Sequence, residues 1–262
     1  MLLISLASCS TIPSAKELSG SFHLHEQVID SGKFKHRIFT NAAFASTQTG
    51  PLHVYIEGDG QPWILHSFIA SDPTPYQPIV LPMLKKDSSP SIYLGRPCYF
   101  GLVDQDQRCN NEWWTSGRYS EEVVESMVIA LKLLAGENRQ VIWIGHSGGG
   151  TLASLLASRY KNTVGLITIA GNLNVGAWTH YHHYSDLNKS LDPSTLPILN
   201  GEIKQIHIGG EKDTNVLANW IKAYSDKQPN SRFWLKPETH TCCWDKSIAE
   251  ALSQFQMPIR AK

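Results

Sequence analysis

The 262-residue chain has no surplus of either charge, with 23 Lys and Arg against 23 Asp and Glu. Nucleic-acid-binding domains carry a basic excess or stripe, so no nucleic-acid partner is expected. Charged residues are scarce at 18%, while 42% are hydrophobic, the reverse of a disordered chain. No apolar run reaches the roughly 18 residues that a membrane-spanning helix needs, which excludes a multi-pass membrane protein. The five cysteines, Cys9, Cys98, Cys109, Cys242 and Cys243, form no C-x-x-C pair, so a zinc ribbon or thioredoxin-like motif is not expected. A G-x-G-x-x-G dinucleotide fingerprint and a G-K-[S/T] phosphate loop are also missing. Repeats and low-complexity linkers are lacking from residues 20–262.

What is present is alternation. Extended, β-rich runs lie at 22–29, 34–39, 52–57, 91–94, 141–144, 164–169, 203–208 and 232–235. Helical spacing marks 119–134, where Val123, Val124, Met127, Val128, Leu131 and Leu134 share a face, with Ser120 as N-cap and Gly136 as stop. Further helices are expected at 151–160, 216–224 and 247–255. Strands alternating with helices predict an α/β fold, a mostly parallel central sheet flanked by helices. The first two runs alternate weakly, as an antiparallel edge does. Chemistry in such sheets sits at the carboxyl ends of the strands.

One strand end stands out. The apolar run Val141-Ile142-Trp143-Ile144 enters Gly145-His146-Ser147-Gly148-Gly149, a G-x-S-x-G pattern with a helix behind it. This context resembles the nucleophile turn of the α/β-hydrolase fold, especially its serine esterases and lipases, and the resemblance covers most of residues 50–256. It implies a single domain over 21–262 and a nucleophile at Ser147. A small cap is expected at about 172–200, between the sixth and seventh strands. The family's chain order then points to an acid and a histidine further along. Asp213 follows a strand and the glycines Gly209 and Gly210, and is the expected acid, with Glu211 its local competitor. His240 follows the last strand and is the expected base; a neutral imidazole can take the serine proton and return it.

The resemblance also implies an oxyanion hole. One donor is the amide of Gly148, after the nucleophile. The other comes from Glu57-Gly58-Asp59-Gly60, which resembles the H-G-x-G type of loop with Glu57 in place of His; Asp59 is favoured, then Gly60. No cofactor is implied. His180, His182 and His183 cluster, but no carboxylate sits at a matching ligand spacing, so no metal is expected. Together with Trp178, Tyr181 and Tyr184 they suggest an aromatic lid. Trp113-Trp114 either lines the pocket or anchors its own loop.

At the front, Leu6-Ala7-Ser8-Cys9 resembles a bacterial lipobox. That implies a signal-like segment at 1–8, lipidation at Cys9, a tether over 9–20, and lipid-anchored attachment to the periplasm-facing membrane of a bacterial cell envelope. The alternative is a cytoplasmic enzyme with a frayed apolar end. Beyond Cys9 the cysteine count is even, as suits an oxidising compartment, and Cys98, Cys109, Cys242 and Cys243 permit three connectivities. The reading is a serine hydrolase acting on a small-molecule acyl ester through Ser147, His240 and Asp213. The alternatives are a thioesterase, amidase or peptidase with the same triad, or a non-catalytic envelope lipoprotein.

Overall fold

The computed structural model describes residues 12–47, 49–65 and 67–255. The expected lipidation residue Cys9 lies outside them. In chain order the elements are α1 (Ala15–Phe22), β1 (His25–Asp30), β2 (Lys35–Thr40), α2 (Ala42–Ser46), β3 (Leu52–Ile56), β4 (Trp63–Ile64), β5 (Phe68–Ile69), α3 (Leu81–Lys86) and β6 (Ser91–Leu94). They continue with α4 (Glu121–Ala135), β7 (Val141–His146), α5 (Gly148–Arg159), β8 (Thr163–Ile169), α6 (Val175–Tyr181), β9 (Lys204–Gly210), α7 (Ala218–Ser225), β10 (Ser231–Lys236) and α8 (Asp245–Ser253).

Eight strands form one sheet in the order β1-β2-β6-β3-β7-β8-β9-β10. The β1–β2 and β2–β6 pairings are antiparallel. From β6 through β10 every pairing is parallel. Two-residue periodicity sorts the central side chains onto two faces. Val54, Ile56, Val141 and Trp143 pack on one face with Val123 and Met127 of α4 and Leu152 and Leu156 of α5. Tyr55, Ile142 and Ile144 pack on the other with Leu81 and Leu84 of α3 and Ile248 of α8. Both faces are therefore covered, and β3, β7 and β8 are buried almost throughout, the His53 of β3 included. Ser120 caps α4 by accepting from the Val123 amide, and Gly136 ends it, as its sequence implies.

The front of the chain corrects the expectation. Residues 15–20 are not tether but the body of α1. Ser14 and Glu17 form a reciprocal capping box, and Ala15 and Leu18 are buried against the domain. The first strand accordingly starts at His25, because Phe22 closes α1 and His23 turns the chain left-handed with φ 54°. The segment 172–200 contains α6 and a 3-10 turn, Pro193–Thr195. It is stitched to the domain by the Leu191 amide donating to Tyr119 O (3.1 Å) and the Ser190 hydroxyl to Ser116 O (2.8 Å). Cys98 and Cys109 are bridged, with Cα atoms 5.6 Å apart, and Cys242 is bridged to Cys243.

Candidate active site

β7 ends at His146 and α5 begins at Gly148, so Ser147 alone makes the turn between them. Its φ of 52° and ψ of −122° lie where a residue with a Cβ costs about 1–3 kcal/mol. Hydrogen bonds fix this conformation. The Ser147 amide donates to Ile169 O (2.9 Å), and Ser147 O accepts from Asn172 N (3.1 Å). The flanking glycines are steric necessities. A Cβ on Gly145 would strike Gly149 O, and one on Gly149 would strike the carbonyls of Ile56 and Glu57. The hydroxyl thus stands at the positive end of a twelve-residue helix.

Asp213 follows β9 and is buried, whereas Glu211 is exposed. Asp213 Oδ1 accepts from the amides of Asn215 (2.8 Å) and Val216 (2.9 Å), which aims Oδ2 outward. Oδ2 lies 2.8 Å from His240 Nδ1, and His240 Nε2 lies 3.0 Å from Ser147 Oγ. The structure therefore brings together all three expected residues, 27 and 93 positions apart in the chain. The acid and histidine loops are pinned to one another by Lys212 N donating to Glu238 O (3.0 Å).

Sequence reasoning missed His146. Its Nε2 lies 2.8 Å from His240 O, and since a carbonyl can only accept, Nε2 carries the proton. Trp244 Nε1 donates to the same carbonyl (3.1 Å). Burial, and then the charge His240 can carry, push the His146 pKa down to about 3, so it holds the backbone of His240 as a neutral donor. Its Nδ1 has no hydrogen-bond partner among the described residues. The sole sequence signal was its place inside the G-x-S-x-G motif.

The loop after β3 comes up beside the nucleophile. A Cβ on Gly58 would lie 3.4 Å from Ser147 Cβ, and one on Gly148 would strike Asp59 Oδ1. Gly148 and Asp59, two of the expected oxyanion residues, are thus placed at the serine turn, whereas a Cβ on the third, Gly60, would strike Pro73 O; the Asp59 side chain also has a job the sequence did not disclose. Its carboxylate receives Arg96 Nη1 (2.6 Å), Arg118 Nη1 (3.0 Å) and the Tyr119 hydroxyl (2.6 Å). The loop's carbonyls are held too: Arg96 Nη1 donates to Gly58 O (3.2 Å) and the Tyr99 hydroxyl to Asp59 O (2.8 Å). Burial raises the Asp59 pKa, but Arg118 and Arg96 outweigh it and hold the carboxyl well below the usual range. One carboxylate against two guanidiniums leaves a buried surplus positive charge beside Ser147. Glu57 behaves oppositely: burial pushes it up to about 7, even though the amides of Val80 and Gly58 donate to it.

The aromatic segment lies against the acid loop. Trp178 Nε1 donates to Asn215 Oδ1 (3.2 Å), His182 Nε2 to Asn215 O (2.8 Å), and His182 stacks on Tyr184 at 5.2 Å. Among the described residues no group of three or more His, Cys, Asp or Glu is arranged to hold a metal ion. Trp113 and Trp114 anchor loops: Trp113 Nε1 donates to Arg108 O (3.0 Å) and Trp114 Nε1 to Ala70 O (3.1 Å).

No protein-family model matches the chain, and no curated protein matches it. Solved structures do. A hydrolase from Pseudomonas aeruginosa superposes with a TM-score of 0.60 at 11% identity, over 88% of this chain and 96% of its own. An esterase from Pyrococcus furiosus gives 0.59 at 14%, over 90% and 94%. A membrane phospholipase A described as a bacterial virulence factor gives 0.56 at 11%, over 91% and 87%. At these identities the likeness is one of architecture: the chain has the α/β-hydrolase fold, and its function must be argued from the site.

Proposed function

We propose that the protein is a serine hydrolase that cleaves carboxylic esters through an acyl-enzyme. The observation that carries this reading is the unbroken hydrogen-bonded line from Asp213 through His240 to Ser147, at 2.8 and 3.0 Å. A serine hydroxyl is a weak nucleophile unless a base removes its proton as it attacks. His240 Nε2 takes that proton while Ser147 Oγ bonds to the ester carbonyl carbon. Asp213 keeps the proton of His240 on Nδ1 and stabilises the imidazolium. Negative charge grows on the carbonyl oxygen and is met by the amide of Gly148 and that of Asp59 or Gly60, within the field of the Arg96–Asp59–Arg118 cluster. The imidazolium then protonates the departing alkoxide. Water, deprotonated by His240, attacks the acyl-serine carbonyl; the bond to Ser147 Oγ breaks, the acid leaves and His240 returns the proton to that oxygen.

The names of the esterase and phospholipase neighbours favour esters over the thioesters and amides that the same machinery handles. The test is a panel of aryl esters, thioesters and anilides of varied acyl length, run with wild type and Ser147→Ala. Ester turnover that disappears in Ser147→Ala is expected. Faster thioester or anilide turnover would reassign the substrate, and no turnover of any kind would favour a non-catalytic binding protein. The cellular setting proposed is the bacterial envelope, anchored through Cys9. Palmitate labelling of the wild type that vanishes in Cys9→Ala is the expected result; absent or unchanged labelling would overturn it.

A further inference from the structure

The loop that borders Ser147 continues, three residues past Gly60, into a small hairpin that the serine chemistry does not use. Its two strands pair Trp63 with Ile69 and Ile64 with Phe68. Opposed residues in an antiparallel pair share a face, and neighbours along a strand point to opposite faces. Trp63 and Ile69 therefore occupy one face, and Ile64 and Phe68 the other. All four are exposed, Phe68 by 66%, and Leu65 beyond them by 80%. The root is firmly held: Ala70 N donates to Pro62 O (3.0 Å), Gln61 N to Pro73 O (2.8 Å), and Trp114 Nε1 to Ala70 O (3.1 Å). Five consecutive Cα–Cα steps of about 3.8 Å keep the Trp63 Cα within about 19 Å of Gly58, where an added Cβ would lie 3.4 Å from Ser147 Cβ.

We propose that this hairpin dips into a lipid surface and presents the active site to esters held there, so that the natural substrate is a lipid. The proposal deepens the ester-hydrolase reading and rests on it for the substrate, though not for the docking. Three observations select lipid over a protein partner. Large apolar side chains project from both faces, and a surrounding apolar medium can cover both at once, whereas a flat partner surface covers one. Residues 60–71 contain no Asp, Glu, Lys or Arg, so no fixed side-chain charge in the element has to be paired or kept in water. Five apolar side chains also fall far short of the roughly 20–30 residues a side of a stable dimer. Elements with Trp, Phe and Leu on the apolar side settle about 5–10 Å into the headgroup–acyl boundary, a depth such a hairpin can reach. The N-terminal segment adds a fourth point. Ile12 and Pro13 line the same surface cavity as Asp72, at the hairpin's root, so the chain leads from the hairpin's side of the domain towards the expected lipidation residue three positions earlier.

The test uses the full chain carrying Cys9→Ser, which isolates the hairpin, with and without Trp63→Ser and Phe68→Ser. Flotation with phosphatidylcholine vesicles reads docking. A long-chain aryl ester dissolved in those vesicles and soluble p-nitrophenyl acetate read turnover. The parent should float; the double variant should lose at least about tenfold in vesicle binding and in turnover of the embedded ester. Its kcat/KM on p-nitrophenyl acetate should stay within about twofold, which also reports an intact fold. A parent that does not float overturns the proposal, as does a variant that floats equally well. A parent that dimerises instead, with the dimer lost in the variant on sedimentation, overturns it in favour of a contact between copies. Flotation without hydrolysis of either ester would sink the esterase reading and with it the lipid substrate, while leaving the docking element standing.

Discussion

Glu57 offers a test of the electrostatics beside the nucleophile that needs no substrate. Its carboxyl is 4% exposed, with Oε1 accepting from Gly58 N (3.2 Å) and Oε2 from Val80 N (3.1 Å). Burial raises its pKa from 4.5 to about 7 against the pull of those amides. Between these two values the native state holds a proton that the unfolded chain has released. The stability from this group is therefore full below the unfolded value and is lost as pH rises through the native one. A shift of this size changes stability by about 2–3 kcal/mol between pH 5 and pH 8. Glu57→Gln removes the titration, and its amide NH2 facing a backbone N–H adds a pH-independent penalty. The expected signature is thus a slope: the stability of Glu57→Gln relative to wild type should improve by about 2–3 kcal/mol from pH 5 to pH 8. His36, with a pKa lowered to about 4, and His146 and His207, lowered to about 3, act in the opposite direction, costing stability as pH falls below the unfolded histidine value. They are common to both proteins and cancel in the difference. Urea unfolding at four pH values measures it; parallel curves for the two proteins would refute a buried, proton-holding Glu57.

Other outcomes follow from single contacts. Asp213→Asn should lower kcat by about 10⁴ by favouring the wrong tautomer of His240, while the exposed Glu211→Gln should leave turnover unchanged; the reverse, in ester assays, would misassign the acid. Arg96→Met should destabilise the fold by about 1–3 kcal/mol in urea unfolding, because Gly58 O and Asp59 Oδ1 lose a buried donor while Arg118 still pairs the carboxylate, and unchanged stability would contradict the clamp. Replacing Cys98 and Cys109 together by Ser should cost about 3 kcal/mol, as expected for a bridge spanning 11 residues; unchanged unfolding would mean that this bridge does not form in solution.

The parts legible in the sequence were those written in local pattern. The buried strands and α4 follow from apolar runs, helical spacing and the caps Ser120 and Gly136. Ser147, Asp213 and His240 were placed through a motif and a chain order, and His240 lies within hydrogen-bonding distance of both the others. What escaped depends on long-range contact. α1 does carry a local signal, the Ser14–Glu17 capping box, but at eight residues it holds only because Ala15 and Leu18 find a surface to pack on. Asp59 could be named as a loop residue, but its tie to Arg96 and Arg118 spans 37 and 59 positions. The hairpin at 63–69 has strands of two residues, too short for any periodicity to register.

The most direct measurement is intact-protein and peptide mass spectrometry after exposure to a fluorophosphonate. One adduct per chain, on the peptide carrying Ser147 and absent from Ser147→Ala and greatly slowed in His240→Ala, is the result this account requires. No adduct on wild type, or one that persists at equal rate without the hydroxyl of Ser147, would contradict it.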